Sequence, residues 1–229
     1  MGCCAAINAD TGRIFSRLAG IHRLRFRLFG LERTQRQLID GIRRAGIEGA
    51  ELLEIGCGAG CLNRALMRLG ASRSTGVDLS EAMLAIARAD AQAEGLAERT
   101  DYRRGDFTQM AGELADADVV VLDKVICCYP DWERLVDASL KRARRVYALT
   151  IPRDRSLTRA GLGMMRWGLQ RIGCCYQPFI HDPARIEGRV VASGFRRTEE
   201  ARTAWWLTRI YVRDRHRGDG VSDGPAEGA

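Results

Sequence analysis

Between residues 54 and 60 the chain reads Glu54-Ile55-Gly56-Cys57-Gly58-Ala59-Gly60. Glycines at alternate positions, directly after the apolar run Leu52-Leu53-Glu54-Ile55, make a tight turn and leave no side chains between backbone and ligand. A helix beyond Gly60 would aim its free N–H groups at that space. Asp78 closes a second apolar run, Thr75-Gly76-Val77-Asp78-Leu79-Ser80, 22 positions after Gly56. A carboxylate there can accept both ribose hydroxyls of an adenosyl group as a charge-assisted pair. A pyrophosphate fingerprint would want Gly or Ala at position 61, where the chain has Cys61. No Gly-Lys-Ser/Thr follows the turn, which excludes a phosphate-binding P-loop.

Other reactive side chains are scattered. Asp123, Lys124 and Tyr129 lie in Val119-Val120-Val121-Leu122-Asp123-Lys124-Val125-Ile126-Cys127-Cys128-Tyr129-Pro130-Asp131. This polar and aromatic loop follows a Val-rich run, where open α/β sheets bind ligands. The competing reading is that Asp123 caps local backbone and the cysteines pack as small hydrophobes. His22 and His181 are candidate general bases, because imidazole titrates near neutrality; each could equally be structural. Eight cysteines include the vicinal pairs Cys3/Cys4, Cys127/Cys128 and Cys174/Cys175, with Cys57 and Cys61 beside the glycine turn. Adjacent cysteines seldom bridge each other, and no secretory segment is visible, so all eight are expected as reduced thiols in a cytoplasmic protein. Their spacing does not match a closed zinc site, and no metal centre is expected. Thiolate capture of a soft metalloid stays open as an alternative.

These residues need a scaffold, and the hydrophobic pattern supplies one. Apolar runs at Glu51–Ile55, Ser74–Leu79, Thr100–Arg104, Asp118–Val125 and Arg145–Ile151 alternate with helical segments at Leu62–Leu69, Glu81–Ala93 and Asp131–Arg142. Continuous apolar strands alternating with helices predict a mostly parallel sheet covered on both faces, a Rossmann-like α/β fold. Residues 10–46 read as basic helices broken at Gly20 and Gly30, the second over Gln35–Ala45. Ser156–Ile172 and Pro183–Ala192 read as further helices. Phe195–Glu200 and Ala204–Val212 read as a closing antiparallel strand pair. The expected organisation is therefore a basic helical cap or lid over 1–46 and a Rossmann-like domain over 47–213. That domain carries a cap insert at about 156–179, and a disordered, Gly-rich tail covers 214–229.

The glycine turn, Asp78, Gly105-Asp106-Phe107 and the loop after Asp118–Asp123 together resemble the class I S-adenosylmethionine-dependent methyltransferases. The resemblance covers about residues 35–152. It implies S-adenosyl-L-methionine as cofactor, held by Glu54, Gly56, Cys57, Gly58, Gly60, Asp78, Leu79, Asp106, Phe107 and Asp123. It also implies that a sulfonium methyl needs only an oriented nucleophile, so an obligatory side-chain catalyst is not expected. Tyr129, His181 and Asp123 are the candidates for any catalytic role, Tyr129 as a flank to the methyl group. The stretch after the fourth strand, with Thr150-Ile151-Pro152-Arg153 and an amphipathic insert, is similar to the magnesium-protoporphyrin O-methyltransferases. A planar apolar ring with carboxylates would suit an apolar pocket rimmed by Arg153, Arg155 and Arg159.

Composition limits the remaining classes. The chain has 229 residues, 46% hydrophobic and 28% charged, which suits one soluble globular domain. No apolar run approaches the roughly 18 residues of a membrane span. Net charge is +7, with +5 on residues 1–49, −3 on 50–150 and +5 on 151–229. Basic flanks suit an anionic small molecule, an anionic membrane surface touched by the N-terminal helices, or nucleic acid. The expected function is methyl transfer, with O-methylation favoured, to a small, partly apolar, anionic acceptor such as a tetrapyrrole-like carboxylate. A nucleic-acid methyltransferase is less favoured, because no Asn/Asp-Pro-Pro-Tyr loop and no RNA-binding module accompany the core. An arsenite-type methyltransferase and a non-enzymatic cofactor-binding regulator remain alternatives, and the oligomeric state is not readable.

Overall fold

Short apolar runs ended by glycine or aspartate become the strands, and the 3.6-periodic segments between them become the helices. The computed structural model describes residues 2–171, 176 and 178–214. In chain order these are α1 (Gly2–Phe29), α2 (Arg33–Ala45), β1 (Glu51–Ile55), α3 (Cys61–Arg68), β2 (Arg73–Asp78), α4 (Glu81–Ala93) and β3 (Thr100–Arg104). There follow α5 (Phe107–Met110), β4 (Ala117–Asp123), α6 (Trp132–Arg142), β5 (Ala143–Pro152), α7 (Ser156–Arg171), α8 (Pro183–Ala192), β6 (Phe195–Arg202) and β7 (Trp206–Arg213). One seven-stranded sheet has the order β3-β2-β1-β4-β5-β7-β6. β1 to β5 run parallel, whereas β7 pairs antiparallel with both β5 and β6. The expected mostly parallel sheet with an antiparallel end is therefore the fold. The order reverses between β1 and β4, and that switch point opens a crevice at the strands' carboxyl ends.

The sheet is covered on both faces, as its strands require. Along Val119-Val120-Val121-Leu122 alternate side chains enter opposite cores. Val120 and Leu122 join Leu135 and Val136 of α6 and Ile186 and Val190 of α8. Val119 and Val121 join Leu38 and Ile42 of α2, Leu62 and Leu66 of α3 and Leu84 of α4. Each such fully buried aliphatic side chain contributes about 1.5–3 kcal/mol. Caps set the helix starts: Ser80 Oγ accepts from the Met83 N–H at 3.2 Å, and Asp182 caps α8 ahead of Pro183.

Several local expectations differ from the structure. α1 runs unbroken through Gly20, which sits on the exposed side with open space around it. One exposed glycine costs a helix only about 1 kcal/mol, and on the opposite side Phe15 and Ala19 pack against Met83 of α4. Gly30 does end the helix, with a left-handed φ of +67°. β4 stops at Asp123 because Lys124 adopts φ +58°. β5 includes Pro152, which the antiparallel pairing with Trp206 accommodates. Residues 1–46 do not act as one piece: α2 packs into the core under β5 and β7, while α1 crosses above the strands' carboxyl ends. Asp214 is held by Gly194 O at 3.0 Å; the tail from residue 215 and the Cys174/Cys175 pair lie outside the described residues, as do the side chains of Cys3 and Cys4. Among the described residues, no helix is long and apolar enough to cross a membrane.

Candidate active site

The glycine turn crosses the switch point directly after β1. Gly56, Gly58 and Gly60 have φ of +72°, +52° and +67°, conformations that a side chain strains. Their roles differ. A Cβ at Gly56 would lie 2.8 Å from Val125 Cγ2, and one at Gly60 would lie 2.7 Å from the Tyr102 hydroxyl. Both are required by protein packing. A Cβ at Gly58 meets nothing within 4 Å, so this glycine borders open space. The Gly58 N–H donates to Asp78 Oδ2 at 2.8 Å, and the Ser80 N–H donates to Asp78 Oδ1 at 2.8 Å. Asp78 is thus oriented by backbone at the end of β2. Arg64 on α3 is buried beneath the turn and donates to Ala59 O at 2.6 Å, braced by Glu94 at 3.1 Å. Sequence reading gave Arg64 no role, since only the fold shows it underpinning the turn.

Three carboxylates gather around this crevice, and burial raises the pKa of each. Glu54 is 4% exposed, and the charge of Asp123 adds to the upward shift from burial. In Asp78 burial is opposed by the backbone donors of Ser80 and Gly58. In Asp123 it is opposed by Lys124 and by hydrogen bonds from Thr150 and Gln35. Glu54 Oε2 and Asp123 Oδ1 are buried with no hydrogen-bond partner among the described residues. A wall of underused acceptors suits a ligand rich in donors or carrying positive charge.

These groups line one cavity of about 650 Å³, ample for a drug-sized ligand. One end lies over β1, β2 and β3, between Gly58, Asp78, Leu79, Asp106 and Phe107. The other lies over β4, β5 and β7, between Lys124, Pro152, Tyr176, Trp205 and Trp206. Phe15 and Phe26 of α1 and Leu162 and Met165 of α7 roof it. Asp106 caps α5 through the Thr108 N–H at 2.9 Å and accepts the Tyr129 hydroxyl proton. Tyr129 is therefore tied to Asp106 rather than standing alone in the loop. Lys124, in its left-handed conformation, pairs with Glu32, lies 3.8 Å from Asp123 Oδ2, and sits 5.4 Å above the Trp206 ring centroid. Arg25 of α1 pairs with the same Glu32.

The remaining candidates separate. His22 lines the cavity, and burial, with Arg25 and Lys124 nearby, lowers its pKa, keeping it neutral near pH 7. His181 is not among the lining residues. Its Nε2 donates to the Tyr129 carbonyl at 3.1 Å while its ring stacks on Phe179, centroids 5.7 Å apart. Of the expected arginine rim, Arg153 turns to Thr203 O at 2.8 Å and Arg159 pairs with Asp154. Arg153, Arg155 and Arg159 do not line the cavity, because nearby acceptors at the chain surface satisfy the first and last; Arg25 and Lys124 are the cationic side chains that do. Cys127 and Cys128 lie in the wall with sulfurs 3.9 Å apart, Cys128 also 3.3 Å from the Tyr176 hydroxyl. Burial raises the Cys57 thiol and brings Cys61 to about 11, so both stand as thiols at neutral pH. Among the described residues no cluster of three His, Cys, Asp or Glu side chains is arranged to hold a metal. Gln35, Glu32, Trp205 and Trp206 carried no sequence signal, being far from the motifs along the chain.

Comparison with known proteins places this geometry in context. Residues 53–146 match the family described as methyltransferase domain. Over 115 residues the chain is 38% identical to the ubiquinone biosynthesis O-methyltransferase of Pseudomonas aeruginosa strain LESB58, covering 48% of each protein. Over 166 residues it is 32% identical to the enzyme of that name from Rhizobium leguminosarum bv. trifolii strain WSM2304, covering 67% of this chain and 62% of the relative. The chain thus spans about half the length of the first of these relatives. The crystal structure of magnesium protoporphyrin IX methyltransferase from Synechocystis PCC 6803 with bound SAH superposes with a TM-score of 0.64 at 21% identity, over 85% of this chain and 94% of that one. Residues 53–146 are accordingly a methyltransferase domain, and the fold that carries them is the Rossmann-like fold of the S-adenosylmethionine-dependent methyltransferases.

Proposed function

We propose that this chain is a methyltransferase that uses S-adenosyl-L-methionine to methylate an oxygen of a small, partly apolar, anionic acceptor. The observation that carries the reading is the open face of Gly58 beside Asp78, in a cavity that continues without a wall to an aromatic, cationic far end. The residues present fit the cofactor. Gly58 leaves room for it, on a turn that Gly56 and Gly60 shape by packing against Val125 and Tyr102 and that Cys57 lines; Asp78 and Leu79, with Asp106 and Phe107, face its nucleoside. Glu54 and Asp123 offer buried acceptor oxygens to its donor groups. When bound, the cofactor supplies a methyl already activated by sulfonium charge.

What remains for the chain is to bind, orient and exclude water. Phe15, Phe26, Leu162 and Met165 close an apolar roof over the cavity. Lys124 and Arg25, bridged by Glu32, offer charged N–H donors to an oxygen of the acceptor at the far end, which suits a carboxylate or an ionised hydroxyl. Where the acceptor arrives protonated, His22 Nδ1 or Nε2 is the neutral base within the cavity. A flat ring bearing a carboxylate, tetrapyrrole-like in its chemistry, suits the stacking surfaces of Trp205 and Trp206. Support for oxygen as the attacking atom comes from the names of the relatives, which are O-methyltransferases.

The test is untargeted. The chain is incubated with isotope-labelled S-adenosylmethionine and a cell extract, and labelled products are found by mass spectrometry. A labelled, partly apolar carboxylate ester or aryl ether is expected. Label found only in RNA or only in arsenicals would replace the acceptor class, and absence of cofactor binding in calorimetry would remove the whole reading.

A further inference from the structure

We infer that the outward faces of α1 and α7 form a docking surface for an anionic lipid bilayer, set at the mouth of the cavity. A helix on a soluble protein buries its apolar stripe and shows water a polar face. α1 and α7 do the first without the second. Their inner faces roof the cavity through Phe15, Phe26, Leu162 and Met165. Their outer faces are also apolar: Ile21 is 63% exposed, Leu28 66%, Phe29 78% and Met164 72%, with Leu24 and Trp167 alongside. Among the described residues, every large exposed apolar side chain except Val191 lies on α1, on α7 or at Trp205 beside them. Ile21, Leu24 and Leu28 recur at three- and four-residue spacing, so they form one stripe rather than scattered exceptions.

The charges select the occupant. The only acidic residue of α1 is Asp10, already paired with Arg13 at 2.5 Å, whereas Arg17 and Arg27 are exposed around the apolar stripe, Arg25 being turned to Glu32 and the cavity. α7 has no acidic residue; Arg171 lies 4.5 Å over the Trp167 ring, an aromatic and a cation at the edge of the patch. A surface both aliphatic and basic matches acyl chains beneath anionic headgroups. RNA would be met by the arginines but would gain nothing from the leucine stripe. A second copy of the chain related by a twofold axis would bring like charges together. Neither helix is long and apolar enough to cross a bilayer, so the contact lies in the interface plane. An amphiphilic acceptor would then reach the cavity from the lipid side, between the two helices. The docking itself does not rest on the methyl-transfer reading and is measured without cofactor.

The experiment floats the full chain with vesicles of phosphatidylcholine mixed with phosphatidylglycerol, against phosphatidylcholine alone, at low and high salt. Binding to the mixed vesicles is expected, weaker at high salt and much weaker on the neutral ones. Ile21→Glu/Leu24→Glu should lower the partition coefficient about 100-fold, and Arg17→Gln/Arg27→Gln roughly 30-fold. Val191→Glu, an exposed change on α8, should leave it unaltered, and all four substituted side chains of the test variants are solvent-exposed, so melting temperatures should match the parent. No binding to anionic vesicles at low salt overturns the inference. So does binding that Ile21→Glu/Leu24→Glu leaves intact. A dimer that this variant splits, in a chain that ignores vesicles, would reassign the face to self-association. Vesicle indifference with RNA capture sensitive only to the arginines would reassign it to nucleic acid.

Discussion

The two ends of the cavity are built differently. Over β1, β2 and β3 the polar groups are set by backbone. Each Asp78 oxygen takes a main-chain N–H, from Gly58 and from Ser80, and Asp106 takes one from Thr108. Over β4, β5 and β7 they are set by side chains from distant segments. Lys124 is held by Glu32, Cys128 by Tyr176, and Asp123 by hydrogen bonds from Thr150 and Gln35. Backbone donors are present whatever the side chains, so the first end is rigid and hard to retune. The second can change its ligand by exchanging one side chain without loss of the sheet. That division suits a fixed cofactor at one end and a variable acceptor at the other.

The sharpest way to break this contrast is Gly58→Val. It adds overpacking of about 1–3 kcal/mol at the ligand face to a left-handed strain of about 1–2 kcal/mol. Cofactor affinity in calorimetry should fall by about 100-fold or more. Affinity within a few-fold of the parent would show that the open face is not where the cofactor lies. Gly60→Ala is the counterpart: its Cβ would strike Tyr102, so it should lower the melting temperature by several degrees.

Glu54→Gln tests the underused carboxylate. Burial raises the Glu54 pKa, so the folded chain takes up this proton more readily than the unfolded one. The resulting destabilisation is complete above the folded pKa and fades as pH falls toward the ordinary carboxylate value. At neutral pH the variant should therefore melt higher than the parent without cofactor, by about 1–3 kcal/mol of stability, while binding cofactor about tenfold less tightly. The two melting curves should converge on acidification. His22 and His181, whose pKa values are lowered, act in the opposite sense in both proteins and cancel in the difference. A variant less stable than its parent at pH 7 would mean that Glu54 is satisfied as an anion.

The smallest effect belongs to the far end. Lys124→Gln should raise the acceptor KM by roughly tenfold, the worth of one charge-assisted contact, and leave cofactor affinity within about twofold. Steady-state kinetics with the acceptor identified by labelling, beside calorimetry, separate the two. A loss of cofactor affinity equal to the loss in KM would erase the division between the ends.

The amino-acid order alone determined the strands, their mostly parallel arrangement, the glycine turn and the place of Asp78. Apolar periodicity, helix caps and left-handed glycines act within a few residues, so their outcome is local. It did not separate the three glycines, since Gly60 is pinned by Tyr102 on another strand while Gly58 faces open space. Nor did it show that His22 reaches the cavity while His181 packs against Phe179 behind the Tyr129 loop. Tertiary structure alone decided that α2 enters the core and α1 becomes a roof, although both are arginine-rich helices. Which face of a helix finds a partner depends on segments a hundred or more residues away, such as β7, and no spacing within the helix encodes that distance.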